Sequence, residues 1–75
     1  MLPKKFRSEI FAYIQSKVGH PAPADDLTQE TFVKVGRALA KGTMPEHFRG
    51  WLIQIARNTT IDFLKESRRF VPSRQ

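Results

Sequence analysis

Seventy-five residues, no cysteine and a formal net charge of +6 bound what this chain can be. A domain of this size buries only about 60% of the surface its unfolded chain exposes, which leaves no room for a deep catalytic cleft beside a core. Without cysteine there is neither a disulfide framework nor a thiolate metal site. An isoelectric point of about 10.4 puts polyanions, nucleic acid first, among the expected partners, with a merely solvated basic surface as the plainer alternative.

Met1-Leu2-Pro3-Lys4-Lys5 reads as an N-terminal arm with no apolar run behind its lysines, unlike a secretory signal. No apolar stretch approaches the roughly 20 residues that cross a bilayer. Phe6, Ile10, Ile14 and Val18 then recur at i, i+4 spacing and predict one apolar helix face, flanked by Phe11 and Tyr13. Gly19-His20-Pro21-Ala22-Pro23 is expected to end that helix, because glycine suits a left-handed cap and proline cannot continue the ladder. Residues 1–24 carry a net charge of +3.

A second helix is expected from near Ala24, with Asp25 and Asp26 in its first turn, where carboxylates favour the positive end of the helix dipole. Leu27, Thr31, Val35 and Ala38, with Phe32 and Leu39 beside them, form its expected buried stripe. Residues 25–33 carry a net charge of −3. Gly36 is an oddity inside this helix, costing about 1 kcal/mol relative to alanine. It marks either a close neighbour or a tolerated loss. Lys41-Gly42 reads as the stop.

Thr43 and Glu46 have the spacing of a capping box, with Pro45 falling in a first turn where its missing N–H does no harm. That predicts a third helix from about Pro45 to about Arg69, roughly 37 Å long at 1.5 Å per residue. Trp51, Ile55, Phe48, Thr59, Leu52, Phe63 and Ala56 share one broad side of it; Gln54, Arg57, Lys65 and Arg68 share the other, with Asn58 at the margin. Ile61 and Leu64 interrupt the polar side, which calls for cover by the first helix. Asp62, on a basic helix, is expected to pair with a nearby arginine. Residues 34–75 carry a net charge of +6, and 70–75 read as the start of a linker. The fold class is all-α, a small three-helix bundle with a long last helix.

Several of these segments form one ordered pattern. Asp26-Leu27-Thr28-Gln29-Glu30-Thr31-Phe32, then Arg37-Ala38-Leu39, then Phe48-Arg49-Gly50-Trp51-Leu52-Ile53-Gln54-Ile55-Ala56-Arg57-Asn58, then Ile61-Asp62-Phe63-Leu64 resemble region 2 of bacterial sigma-70 family factors, and most nearly the extracytoplasmic-function (ECF) group. The resemblance runs from about Phe6 to Arg69, so that 6–69 is the expected domain. Gly36 departs from it, standing where many members carry a bulky aromatic residue. Members also continue through a linker into a second helical domain that reads the −35 element; this sequence ends at Gln75 and is expected to be an excised domain, with a truncated natural protein as the alternative.

The resemblance implies a transcription initiation factor domain that is not an enzyme and carries no cofactor. It implies that Asp26, Gln29, Glu30 and Val33 dock on the β′ coiled coil of core RNA polymerase. It implies that Thr43, Met44 and His47 in the loop 42–47, with Phe48, Arg49, Trp51, Gln54, Arg57, Asn58, Lys65 and Arg68 on the following helix, open and hold the non-template strand of the promoter −10 element. An anti-sigma factor, a monomeric state and a nucleoid-associated place in the bacterial cytoplasm are further implied.

Physical chemistry is compatible with these roles and with plainer ones. Asp26, Gln29 and Glu30 at i, i+3 and i+4 face one way and suit bidentate arginine contacts, or they merely cap a helix. Aromatic faces and cations suit an unpaired strand, yet Trp51 also fits the core, and Arg57, Lys65 and Arg68 also fit a solvated face. Asn58 offers both donor and acceptor to a base edge and is a poor helix former. His20 and His47 stand alone without metal-ligand spacing. A polymerase- or anti-sigma-binding module that never reads DNA remains the second reading. A groove reader of helix-turn-helix type fits less well, since its recognition helix would usually be short.

Overall fold

The computed structural model describes the backbone of residues 4–70 and the side chains of residues 4–67. Helix α1 runs Lys4–Val18, α2 Pro21–Ala40 and α3 Phe48–Phe70, and each helix packs against both others. The expectations for 1–3 and 71–75, and for the side chain of Arg68, lie outside the described residues. No helix among the described residues is long and apolar enough to cross a membrane.

The core is small and drawn evenly from the three helices: Ile10 and Ile14 of α1, Ala24, Leu27 and Val35 of α2, Leu52 and Ala56 of α3. Phe6, Val18, Phe32, Phe48, Trp51 and Phe63 pack around it and keep part of their surface in solvent. Ala38 is half-buried and Leu39 is exposed, so the stripe of α2 narrows toward its C-terminus. Thr28, Thr31, Thr59 and Thr60 are also buried. Three of these hydroxyls donate to the carbonyl four residues back, Thr28 to Ala24, Thr31 to Leu27 and Thr60 to Ala56, each at 2.7 Å. A hydroxyl satisfied within its own helix carries little burial penalty, so these threonines pack as small side chains.

The start of α2 corrects the sequence reading. The helix begins at Pro21, with His20 as its N-cap in extended conformation, and Asp25 and Asp26 fall in the second turn. Pro21 and Pro23 occupy the first and third helical positions, where backbone N–H groups have no partner inside the helix in any case. The first intrahelical bond runs from the Ala24 N–H to the His20 carbonyl at 3.2 Å. Two prolines thus open a helix here rather than interrupt one.

The end of α2 corrects a second expectation. Gly42 adopts φ +96°, the Gly42 N–H donates to the Leu39 carbonyl at 3.0 Å, and the Thr43 N–H reaches back to the Ala38 carbonyl at 3.0 Å. This pair of bonds around a left-handed glycine is a Schellman motif. It turns Thr43 toward the helix behind it, so the Thr43/Glu46 capping box does not form. Helix α3 begins at Phe48 rather than Pro45, and its first bond runs from the Trp51 N–H to the His47 carbonyl at 3.0 Å. Residues 43–47 are left as a non-helical loop anchored at both ends.

Gly36 is exposed, and a Cβ built on it meets nothing within 4 Å. The loss is therefore tolerated and no neighbour requires it. Gly36→Ala is expected to raise unfolding stability by up to about 1 kcal/mol. Gly42→Ala is expected to lower it by about 1–2 kcal/mol through the left-handed backbone. Denaturant titration of the two variants checks both signs.

Candidate nucleic-acid interface

Helix α3 is packed from two sides, and the two seams differ in charge. Against α1, the residues Arg57, Thr60, Ile61 and Leu64 line one surface depression with Tyr13 and Lys17. Against α2, the residues Thr59, Asp62, Phe63 and Glu66 line another with Leu27 and Glu30. The first holds two cations and no carboxylate; the second holds three carboxylates and no cation. Between the seams Gln54, Asn58, Ile61 and Lys65, at i, i+4, i+7 and i+11, form the outward stripe. Gln54, Asn58 and Lys65 are exposed and Ile61 is half-buried.

The residues singled out for an unpaired strand fall into three groups. Thr43, Met44 and His47 are exposed in the loop, Met44 at 86%. Gln54, Arg57, Asn58 and Lys65 are exposed on α3. Phe48 and Trp51 are half-buried, and they are joined to α1 in one aromatic run: Phe6 and Phe48 meet edge-on at 5.5 Å between centroids, Phe48 and Trp51 at 5.7 Å. That run supports the start of α3 and leaves only part of either ring for a base.

Arg49 is differently placed. Its guanidinium donates to the Glu9 carboxylate of α1 at 3.0 Å while its side chain stays 70% exposed. The pair ties the first turn of α3 to α1, and a phosphate would have to compete with Glu9 for the guanidinium. Glu9 lies 40 residues away in the chain, a pairing that no local pattern signals.

On α2, Asp26, Gln29, Glu30 and Val33 are all exposed, Val33 at 51%. Gln29 Nε2 leans toward Asp25 at 3.4 Å. Glu30 pairs with Lys34 at 3.3 Å, and Lys34 Nζ also donates to the buried Thr59 hydroxyl of α3 at 2.9 Å. Lys34 was not foreseen as a functional position; it holds the acidic face of α2 to α3. Asp62 makes no ion pair among the described residues. Glu30 and Glu66 line the α2–α3 depression with it, so the acidic surface is broader than α2 alone suggested, while the side chains of Arg68 and Arg69 lie outside the described residues. Ile61 and Leu64 do meet α1, as expected, but Leu64 remains 38% exposed.

Comparison with known proteins identifies the family. The family model described as Sigma-70 region 2 matches residues 2–70, and the chain belongs to that family. It is 38% identical over 65 residues to the ECF RNA polymerase sigma factor BldN of Streptomyces coelicolor, covering 85% of this chain and 25% of that protein. It is 31% identical over 68 residues to a probable RNA polymerase sigma factor of Haemophilus influenzae, covering 91% of this chain and 35% of that protein. Over 47 residues it is 40% identical to the ECF RNA polymerase sigma factor SigE of Mycolicibacterium smegmatis, covering 63% of this chain and 18% of that protein. The chain thus spans about a quarter to a third of the first two relatives. No solved structure matches it.

The exposed Glu9–Arg49 pair is expected to show a coupling of about 0.2–1 kcal/mol that shrinks at high salt. A double-mutant cycle with Glu9→Ala and Arg49→Ala, read by thermal unfolding at low and high ionic strength, measures it.

Proposed function

We propose that this domain serves transcription initiation as the part of a sigma factor that joins core RNA polymerase to the melted promoter. The acidic face of α2, Asp26, Gln29, Glu30 and Val33, docks on the basic coiled coil of the β′ subunit. The loop 42–47 and the outward stripe of α3 take the −10 element as an unpaired strand. Asn58 reads a base edge, while Arg57, Lys65 and Arg68 track phosphates with Arg49 in reserve behind Glu9.

The observation that carries this reading is the joint exposure of the 43–47 loop and Asn58 beside the cationic seam of α3. A module that only binds proteins has no need of that combination. Electrostatics supports the docking half. Asp26 with Glu30, and Asp62 with Glu66, are like-charge pairs at i, i+4, each costing a few tenths of a kcal/mol in the unbound domain. An arginine-rich helix relieves both repulsions and supplies charge-assisted hydrogen bonds. It also competes with Lys34 for Glu30, leaving Lys34 its bond to Thr59.

Asn58→Ala is expected to weaken binding of a −10 single strand relative to a scrambled strand while leaving the unfolding free energy within about 0.5 kcal/mol of the unaltered domain. Asp26→Arg is expected to abolish retention on core polymerase and leave strand affinity intact. Equal affinity of the unaltered domain for −10 and scrambled strands would favour the alternative of a protein-interaction module without DNA reading. With four phosphate contacts, log K should fall against log salt with a slope near −3, from roughly −0.7 per contact on single strands. Titration between low and moderate salt reads that slope directly, and a flat response removes the phosphate contacts from the account.

A further inference from the structure

The −10 reading uses Arg57 of the α1–α3 depression and leaves the rest of that depression without a role. Tyr13, Lys17, Arg57, Thr60, Ile61 and Leu64 enclose about 210 Å³. That is below the roughly 300–1,000 Å³ of small-molecule sites, so the space suits one flat ring rather than a cofactor. Its make-up is specific. Ile61 is half-buried and Leu64 is 38% exposed, giving an apolar floor. Tyr13 is half-buried and supplies an aromatic ring, with the Lys17 ammonium 5.6 Å from its centroid. Lys17 and Arg57 are exposed at the rim, and no acidic residue lines the space. Thr60 gives its proton to the Ala56 carbonyl at 2.7 Å, so the tyrosine hydroxyl is the uncharged side-chain donor left there.

An aromatic ring beside backbone-tracking cations is the combination by which proteins hold unpaired nucleic acid with little regard to sequence. We propose that this depression is a second nucleotide subsite, which takes one base of the strand against Tyr13 while Lys17 and Arg57 hold the neighbouring phosphates. The proposal rests on the reading of α3 as the strand-binding helix and extends it onto α1. Charge complementarity and continuity commit the site to nucleic acid, since Arg57 belongs both to the depression and to the proposed strand-binding residues.

Thr60 lies twelve residues beyond Phe48, about 18 Å along the helix at 1.5 Å per residue. The base held here is therefore not the one the 42–47 loop captures. In the unbound domain Lys17 covers the ring by a cation–π contact, which is weak at an exposed site. Arrival of the strand exchanges that contact for a base stack and gives the ammonium a phosphate.

The test is fluorescence anisotropy with a labelled −10 single strand, using the 75-residue chain and its Tyr13→Leu, Tyr13→Phe and Lys17→Ala variants. Tyr13→Leu is expected to weaken binding about 5- to 150-fold, the range of one lost base–aromatic stack. Tyr13→Phe should bind as the unaltered chain does, and Lys17→Ala should reduce the salt slope by about 0.7. Removing single bases from the strand should identify one position whose loss weakens the unaltered chain but not Tyr13→Leu. That position must differ from the one sensitive to Asn58→Ala. Circular dichroism at the assay temperature confirms that each variant is folded.

Unchanged affinity of Tyr13→Leu, with −10 preference intact in the unaltered chain, overturns the subsite alone. Loss of any difference between −10 and scrambled strands, with Asn58→Ala silent, overturns the reading of α3 and the subsite with it. Displacement of the strand by a polyglutamate peptide whose binding shows the same Tyr13 dependence overturns the subsite in favour of an acidic protein partner.

Discussion

One helix packed between two others imposes the constraint on which this domain depends. Helix α3 offers Arg57, Thr60, Ile61 and Leu64 to α1 and Thr59, Asp62, Phe63 and Glu66 to α2. The sequence interleaves cations and carboxylates so that each of the two depressions is lined by one sign, while Lys34 and Glu9 supply the opposite charge in ion pairs elsewhere along the seams. An α-helix with its side chains is about 10–12 Å across, and the Debye length at physiological salt is about 8 Å. Exposed charges on opposite sides of α3 are therefore largely screened from one another. A chain of only 75 residues and net charge +6 can thus present an acidic surface without cancelling its basic one.

The separation is maintained by modest means. Seven apolar side chains make up the buried core among the described residues, so the geometry of the seams leans on polar detail. Buried threonine hydroxyls are satisfied inside their own helices, so they pack in the interior as small side chains. Glu9 holds Arg49 at the beginning of α3, and Lys34 joins Glu30 to Thr59 further along. The Schellman turn at Gly42 fixes the departure of the 43–47 loop, and the Phe6–Phe48–Trp51 run fixes its return. The loop proposed to meet the strand is thereby anchored at both ends. The chain belongs to the Sigma-70 region 2 family, and the proposed function asks one small bundle to meet both an enzyme and a nucleic acid.

Much of the fold was legible because the periodicities are strong. The i, i+4 series Phe6, Ile10, Ile14, Val18 and the stripe from Leu27 to Val35 each define a face without tertiary information, and glycine at 19 and 42 marks the left-handed positions found there. The boundaries were harder for specific reasons. Proline is equally at home just past one helix and in the first turn of the next, so Pro21 and Pro23 could not say which. Thr43 had the spacing of an N-cap, but its N–H is engaged by the helix behind it. What escaped at the candidate site is tertiary in origin. Glu9 beside Arg49, Glu30 beside Asp62 and Tyr13 beside Arg57 are pairings across helices, and one helical wheel cannot show them. The exposure of Asn58 and of the loop was readable, because both lie off the apolar stripe of α3.

If the two seams serve two partners, both should be occupied at once. The direct measurement is the affinity of a labelled −10 single strand for the domain, without and with a saturating concentration of the isolated β′ coiled-coil segment. Opposite seams predict a ternary complex in which strand affinity is equal to, or greater than, that of the domain alone. Displacement of the strand by the coiled coil, in proportion to its occupancy, would place both partners on one surface and contradict the account.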